Sequence, residues 1–167
     1  MNKALKSTTR VLAVCVAVLV LATPLLAQES QTDANKKAEA EMEAAFGTVP
    51  MMMKVYPDHL RASAWNWFAA TMSPDAAIPA KYSELISLAV ASQIPCTYCV
   101  YAHTTMAKML GATDAEIQEA VQEAALIRHW STVLNGNEVD LEEFKAEWDG
   151  ILAHLKKRSE AKETTKK

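Results

Sequence analysis

Two prolines and a glycine divide the middle of this chain into helices whose ends are set by local chemistry. Pro79 suits the first turn of a helix expected from about Ala80 to Gln93, with Leu85, Leu88 and Ala89 on one face. Pro95 ends that helix, because it lacks an N–H and clashes with the preceding turn, and a second helix is expected from Cys96 to about Leu110. Gly111 is a natural stop for it. Thr113 and Glu116 then form a capping-box pair for a third helix reaching about Arg128, and a short helical piece follows, ending at Asn135-Gly136-Asn137.

The flanks read the same way. Ala38 to Phe46 is expected as a short helix stopped by Gly47 and Pro50, and Met51 to Met72 has a helical rhythm in Leu60, Ala64, Trp67 and Phe68. Ser73-Pro74-Asp75 marks a turn, and Leu141 to Lys157 carries an apolar stripe of Leu141, Phe144, Trp148, Leu152 and Leu155. No segment alternates as a half-buried strand would, and 4 Gly against 167 residues is too few for a turn-rich all-β fold. The fold class is all-α, with one helical domain over residues 38–157 and a polar tail over 158–167. Half of the residues are apolar, which excludes wholesale disorder, and a net charge of −3 excludes the basic field that a nucleic-acid binder needs.

Residues 1–27 stand apart. Lys3, Lys6 and Arg10 precede an apolar run from Val11 to Ala22, Pro24 breaks it, and Ala27 offers a small residue at a cleavage point. This is the layout of a secretory signal peptide, so the protein is expected to be exported, periplasmic or secreted, after cleavage near Ala27. The alternative is an uncleaved membrane anchor, which the break at Thr23-Pro24 disfavours. Removing residues 1–27 takes away three positive charges and no negative ones, so the mature chain, which opens with a polar leader at 28–37, has 14 basic against 20 acidic residues, net −6. Cys15 leaves with the signal, and Cys96 and Cys99 are then a lone pair in an oxidising compartment.

That pair is the informative motif. On one helix, Cys96 and Cys99 lie a turn apart, and His103 is four residues beyond Cys99 on the same face. The two sulfurs can close a disulfide without unfolding the turn, and the imidazole is within reach of the second one. A thiolate is the reactive form of cysteine. Cys96 follows Pro95 at the positive end of the helix dipole, which favours its thiolate, whereas Cys99 has a base one turn on. Residue types alone leave both sulfurs as candidate nucleophiles. Zinc would want a fourth ligand beyond Cys96, Cys99 and His103, and covalent haem attachment is excluded because Val100 follows Cys99.

Glu84, eleven residues, Cys96-x-x-Cys99, three residues, His103 resembles the signature of the AhpD-like alkylhydroperoxidases of the carboxymuconolactone decarboxylase superfamily. Ile78-Pro79 ahead of Tyr82-Ser83-Glu84-Leu85, then Tyr98-Cys99, Ala102-His103 and Gly111-Ala112-Thr113, extend the resemblance over roughly residues 47–135. It implies a compact AhpD-like helical domain with the Cys-x-x-Cys at a helix N-terminus. It also implies that Cys99 is the peroxidatic cysteine, Cys96 the resolving one, and Glu84 with His103 a proton relay. The substrate would be a hydroperoxide, the reductant an external thiol or dithiol, and the assembly a trimer-based homo-oligomer. No cofactor or metal is called for. Some members carry a histidine just before the second cysteine. Tyr98 stands there instead, and a phenol titrating near ~10 is a poor base at neutral pH.

Other readings remain open on the residues. The superfamily's other branch implies a lactone decarboxylase, although that chemistry needs no cysteine pair. A non-catalytic exported redox or binding protein with a structural disulfide is a third reading. Met51, Met52, Met53, Trp65, Trp67 and Phe68 read more simply as core or subunit interface than as the lining of a substrate pocket. His59, His129 and His154 read as surface or structural, and Asp140, Glu142, Glu143 and Glu147 as the wet face of the last helix.

Overall fold

The computed structural model describes residues 30–164, and every regular element among them is α-helical. In chain order these are α1 (30–46), α2 (Met51–Lys54), α3 (Asp58–Thr71), α4 (Ala80–Gln93), α5 (Thr97–Met109), α6 (Asp114–Gly136) and α7 (Leu141–Thr164). The signal-peptide reading of residues 1–27, and Cys15 within it, lie outside the described residues. None of the described helices is long and apolar enough to cross a membrane. The sequence treats 38–157 as one domain, whereas contacts divide the chain into two compact units on either side of the Ala77–Ile78 bond.

In the first unit the sequence places the helix start too late. Helix α1 is already formed at residue 30, the first described residue, inside the stretch read as a polar leader. The reason is a buried polar joint: Asn35 Nδ2 donates to the Asp58 carbonyl at 2.8 Å, and the Ala62 N–H donates to Asn35 Oδ1 at 3.2 Å. With Asn35 so anchored, Ala38 and Met42 follow on the same face and join Met53, Ala62 and Trp65 in a small core. Trp65 Nε1 donates to Glu41 Oε2 at 2.7 Å, so the indole is buried without losing its hydrogen bond. The rhythm over Met51–Met72 is broken at Pro57, which caps α3 and leaves α2 a single turn. Gly47, at φ +73°, ends α1 in a conformation that a side chain would strain.

The second unit places the candidate site. Helices α4 and α5 pack closely side by side, with α6 lying mainly along α4. Leu88 and Ala91 of α4, Ala107 of α5 and Ala124 of α6 are buried, and the three alanines let the helix backbones approach. Gly111 at φ +84° turns the chain after α5, where Ala112 N–H donates to the Ala107 carbonyl at 2.9 Å. The capping box is formed in full: Thr113 Oγ1 accepts from Glu116 N–H at 3.1 Å, and Glu116 Oε2 accepts from Thr113 N–H at 2.8 Å.

Two ends differ from expectation. Helix α6 does not stop near Arg128 but runs unbroken to Gly136. Thr132 and Asn135 tolerate the helix because their side chains donate to carbonyls four residues back, at 2.9 and 2.7 Å. Helix α7 extends to Thr164 rather than Lys157, so the segment read as a polar tail is helical at its start. Asp140, read as part of a wet acidic face, instead caps α7, its Oδ1 accepting from the N–H groups of Glu142 and Glu143 at 2.9 Å.

Candidate active site

Cys96 is the N-cap of α5. Its Sγ accepts from the Cys99 N–H at 3.2 Å, and its own N–H donates to the Ala91 carbonyl at 3.1 Å, tying the cap to the end of α4. Cys96 and Cys99 are joined as a disulfide with Cα atoms 5.3 Å apart, inside the ordinary range for such a bridge. Both residues are half-buried. Cys96 at the N-cap and Cys99 in the first turn both lie at the positive end of the α5 dipole, which favours the thiolate form of either cysteine.

The packing of α4 on α5 brings Glu84 to His103. The His103 Nδ1 and Glu84 Oε2 atoms are 2.7 Å apart, with the side chains 32% and 23% exposed. Glu84 accepting from Nδ1–H sets the neutral imidazole as the tautomer whose lone pair lies on Nε2, the nitrogen free to take a proton. His103 itself is one turn past Cys99 on α5. A disulfide, an imidazole and the carboxylate bonded to that imidazole are thus held by two packed helices.

Interactions away from the sulfurs lock the frame, and the sequence did not reveal their partners. Lys81 Nζ lies 2.7 Å from Glu116 Oε1 and so fastens the start of α4 to the capping box of α6. The Lys81 ammonium, with the Thr113 backbone N–H second, holds the Glu116 carboxyl down at about 2. At the other end of α4, Gln93 Nε2 donates to the Ala124 carbonyl, and Arg128 Nε donates to Gln93 Oε1 at 2.7 Å. Glu116 was legible only as a cap. A Lys–Glu pair 35 residues apart has no sequence signature without the helix packing.

The remaining candidates separate cleanly. Tyr98 is 88% exposed and forms no hydrogen bond among the described residues, so its phenol stands in solvent beside the disulfide. Met53 and Trp65 are core, Phe68 packs against that core, and Met51, Met52 and Trp67 are exposed. His59, His129 and His154 are exposed, His129 lying edge-on to Trp130 at 5.0 Å. Among the described residues no group of three or more His, Cys, Asp or Glu side chains is placed to hold a metal ion. An open groove of about 600 Å³ runs along α5 from Pro95 and Thr97 past Val100, Tyr101 and Thr104 to Lys108, its walls mainly apolar.

Residues 57–139 match the model of the carboxymuconolactone decarboxylase family. Among solved structures, the chain is similar to the alkylhydroperoxidase AhpD core from Rhodospirillum rubrum, with 22% identity and a TM-score of 0.59, over 72% of this chain and 91% of that one. No curated protein matches the chain.

Proposed function

Because residues 57–139 place this chain in the carboxymuconolactone decarboxylase superfamily, with the AhpD-like fold, we propose that it is a thiol-dependent peroxidase acting through Cys99 and Cys96. Both family and fold are those of an enzyme of the alkylhydroperoxidase or decarboxylase kind. The observation that carries the finer reading is the dithiol pair one turn ahead of an imidazole already bonded to a carboxylate, His103 to Glu84 at 2.7 Å.

In this mechanism His103 Nε2 takes the proton of Cys99, directly or through a water, and Glu84 balances the imidazolium that forms. The thiolate attacks the terminal peroxide oxygen. The O–O bond breaks, Cys99 becomes a sulfenic acid, and the alkoxide leaves as an alcohol with the proton returned by His103. The Cys96 thiol then displaces water from the sulfenic acid to give the disulfide. An external thiol or dithiol returns the pair to the reduced state by exchange. No cofactor or metal enters any step.

Export after cleavage near Ala27 belongs to the same proposal, and it requires a reductant on the far side of the membrane. So does a homo-oligomer, trimer-based by family resemblance. The deciding experiment is single-turnover oxidation of the reduced protein by a small excess of cumene hydroperoxide, with free thiols and intact mass followed in time. Rapid loss of both thiols to an intramolecular disulfide, abolished in Cys99→Ser, is the expected result. Thiols that persist would leave the pair a structural or carrier disulfide. The family model's own activity favours one second reading, a lactone decarboxylase. Its mark would be decarboxylation surviving a Cys96→Ser, Cys99→Ser double substitution.

A further inference from the structure

The second unit ends in a helix that its neighbours leave uncovered. Helix α7 makes no packing contact with α4, α5 or α6, and Leu141, Trp148, Ile151, Leu152 and Leu155 are all exposed. Leu141, Phe144, Trp148 and Leu155, with Ile151 and Leu152 adjacent between the last two, recur with three- and four-residue spacing, the pattern of a seam between two helices rather than of a helix lying on a broad core. Phe144 and Trp148 already stack on each other at 5.8 Å along that seam.

Charge says what fits there. Residues 141–152 carry four carboxylates and one lysine, while 153–164 carry four cations and two carboxylates. A helix's own dipole favours this polarity only within its first and last turns. Glu147 and Asp149 lie beyond the first turn, and Lys156, Lys157 and Arg158 lie short of the last. The same polarity is self-complementary when one helix meets another running the opposite way.

We propose that α7 pairs antiparallel with α7 of a second copy of this chain. In the register that sets Phe144 against Leu155 and Trp148 against Ile151 of the second copy, Glu142 and Glu143 come level with Lys157 and Lys156 of that copy. A parallel pair would oppose like charges along its whole length. The contact is a two-fold and stands apart from the redox reading, because α7 contributes no residue to the cysteine site.

The test uses the purified protein in sedimentation velocity and light scattering, with circular dichroism to confirm helix content. Leu152→Asp is expected to halve the assembly mass while leaving thiol oxidation by cumene hydroperoxide unchanged. Trp148→Glu should do the same by a second route. Glu142→Lys with Glu143→Lys should weaken association roughly tenfold, and adding Lys156→Glu and Lys157→Glu to the same chain should restore it. That restored chain still carries lysines in the first turn of α7, so recovery reads pairing rather than local helix stability. An unchanged mass in both seam variants would overturn the proposal. A charge-swapped chain that keeps its helix content but fails to reassociate would overturn the antiparallel arrangement.

Discussion

At the scale of single residues, the two neighbours of Cys99 are placed differently for the proposed mechanism. His103 is half-buried, bonded to Glu84 and set with a free Nε2, whereas Tyr98 is exposed and unbonded. A base that takes the thiol proton contributes in the range of 10²–10⁴-fold, so His103→Ala is expected to slow single-turnover thiol loss by roughly a hundredfold. Glu84→Gln should slow it less, since the imidazole keeps a hydrogen-bond partner but loses the charge that stabilises its protonated form. Tyr98→Phe should change the rate by no more than about twofold, as a substitution in solvent without a contact does. Stopped-flow thiol titration of the three variants checks this ordering. A Tyr98→Phe effect as large as that of His103→Ala would mean that the phenol moves into the site when the disulfide opens. The residue identities of this site were legible in the sequence because the cysteines and the histidine share one helix. The pairing of Glu84 with His103 came only from the family resemblance and not from helical spacing, since their contact depends on how α4 lies against α5.

At the scale of elements, what was read correctly was local, and what was missed was tertiary. Pro79, Pro95, Gly111 and the Thr113–Glu116 box set the limits of α4, α5 and the start of α6, because each acts on backbone groups within four residues of itself. The start of α1 was missed because Asn35 earns its helical place from Asp58 and Ala62, more than twenty residues away in sequence. The Lys81–Glu116 bridge was missed for the same reason, and it makes a prediction with a sign. The Glu116 carboxyl is held down at about 2 from an ordinary 4.5, first by its hydrogen bond to Lys81. A carboxyl with a depressed folded-state value stabilises the fold fully above its unfolded value and loses that contribution as pH falls through the folded one. The bridge should therefore weaken between pH 4.5 and about 2. Lys81, raised by the same contact, adds the mirror condition that its contribution holds below its ordinary 10.5 and is lost as pH rises above it. Urea midpoints of the wild type should fall across the acid window, and those of Glu116→Gln should start lower and fall less. Because the carboxylate is also the returning half of the capping box, Thr113→Ala gives the comparison, with an expected cost of about 1 kcal/mol and no added acid dependence. Equal acid slopes in wild type and Glu116→Gln would place the titrating group elsewhere.

For the whole molecule, the question is how so little core holds so many apolar residues. In the second unit the fully or nearly fully buried apolar positions are Leu88, Ala91, Ala107 and Ala124, three of them alanine. Meanwhile Ile86, Val90, Ile127 and Trp130, on helices that pack well against one another, are each at least half exposed. Alanine burial permits close helix approach but removes little apolar area from water, so the isolated unit gains modest hydrophobic stabilisation. A single chain presenting this much apolar surface is the expected subunit of an obligate or near-obligate assembly, because its faces resemble a core divided between copies. Stability of such an assembly follows mass action, since only the folded chain associates. The thermal midpoint of the reduced or oxidised protein is accordingly expected to climb with protein concentration, and the unfolding transition to coincide with dissociation in light scattering. The Leu152→Asp variant separates the contributions: it should lower the midpoint yet keep a residual concentration dependence if faces on α4 and α6 are also covered by other copies. A midpoint that stays fixed over a hundredfold change in concentration would instead describe a self-sufficient monomer, and the exposed residues of α4, α6 and α7 would then need partners other than this chain.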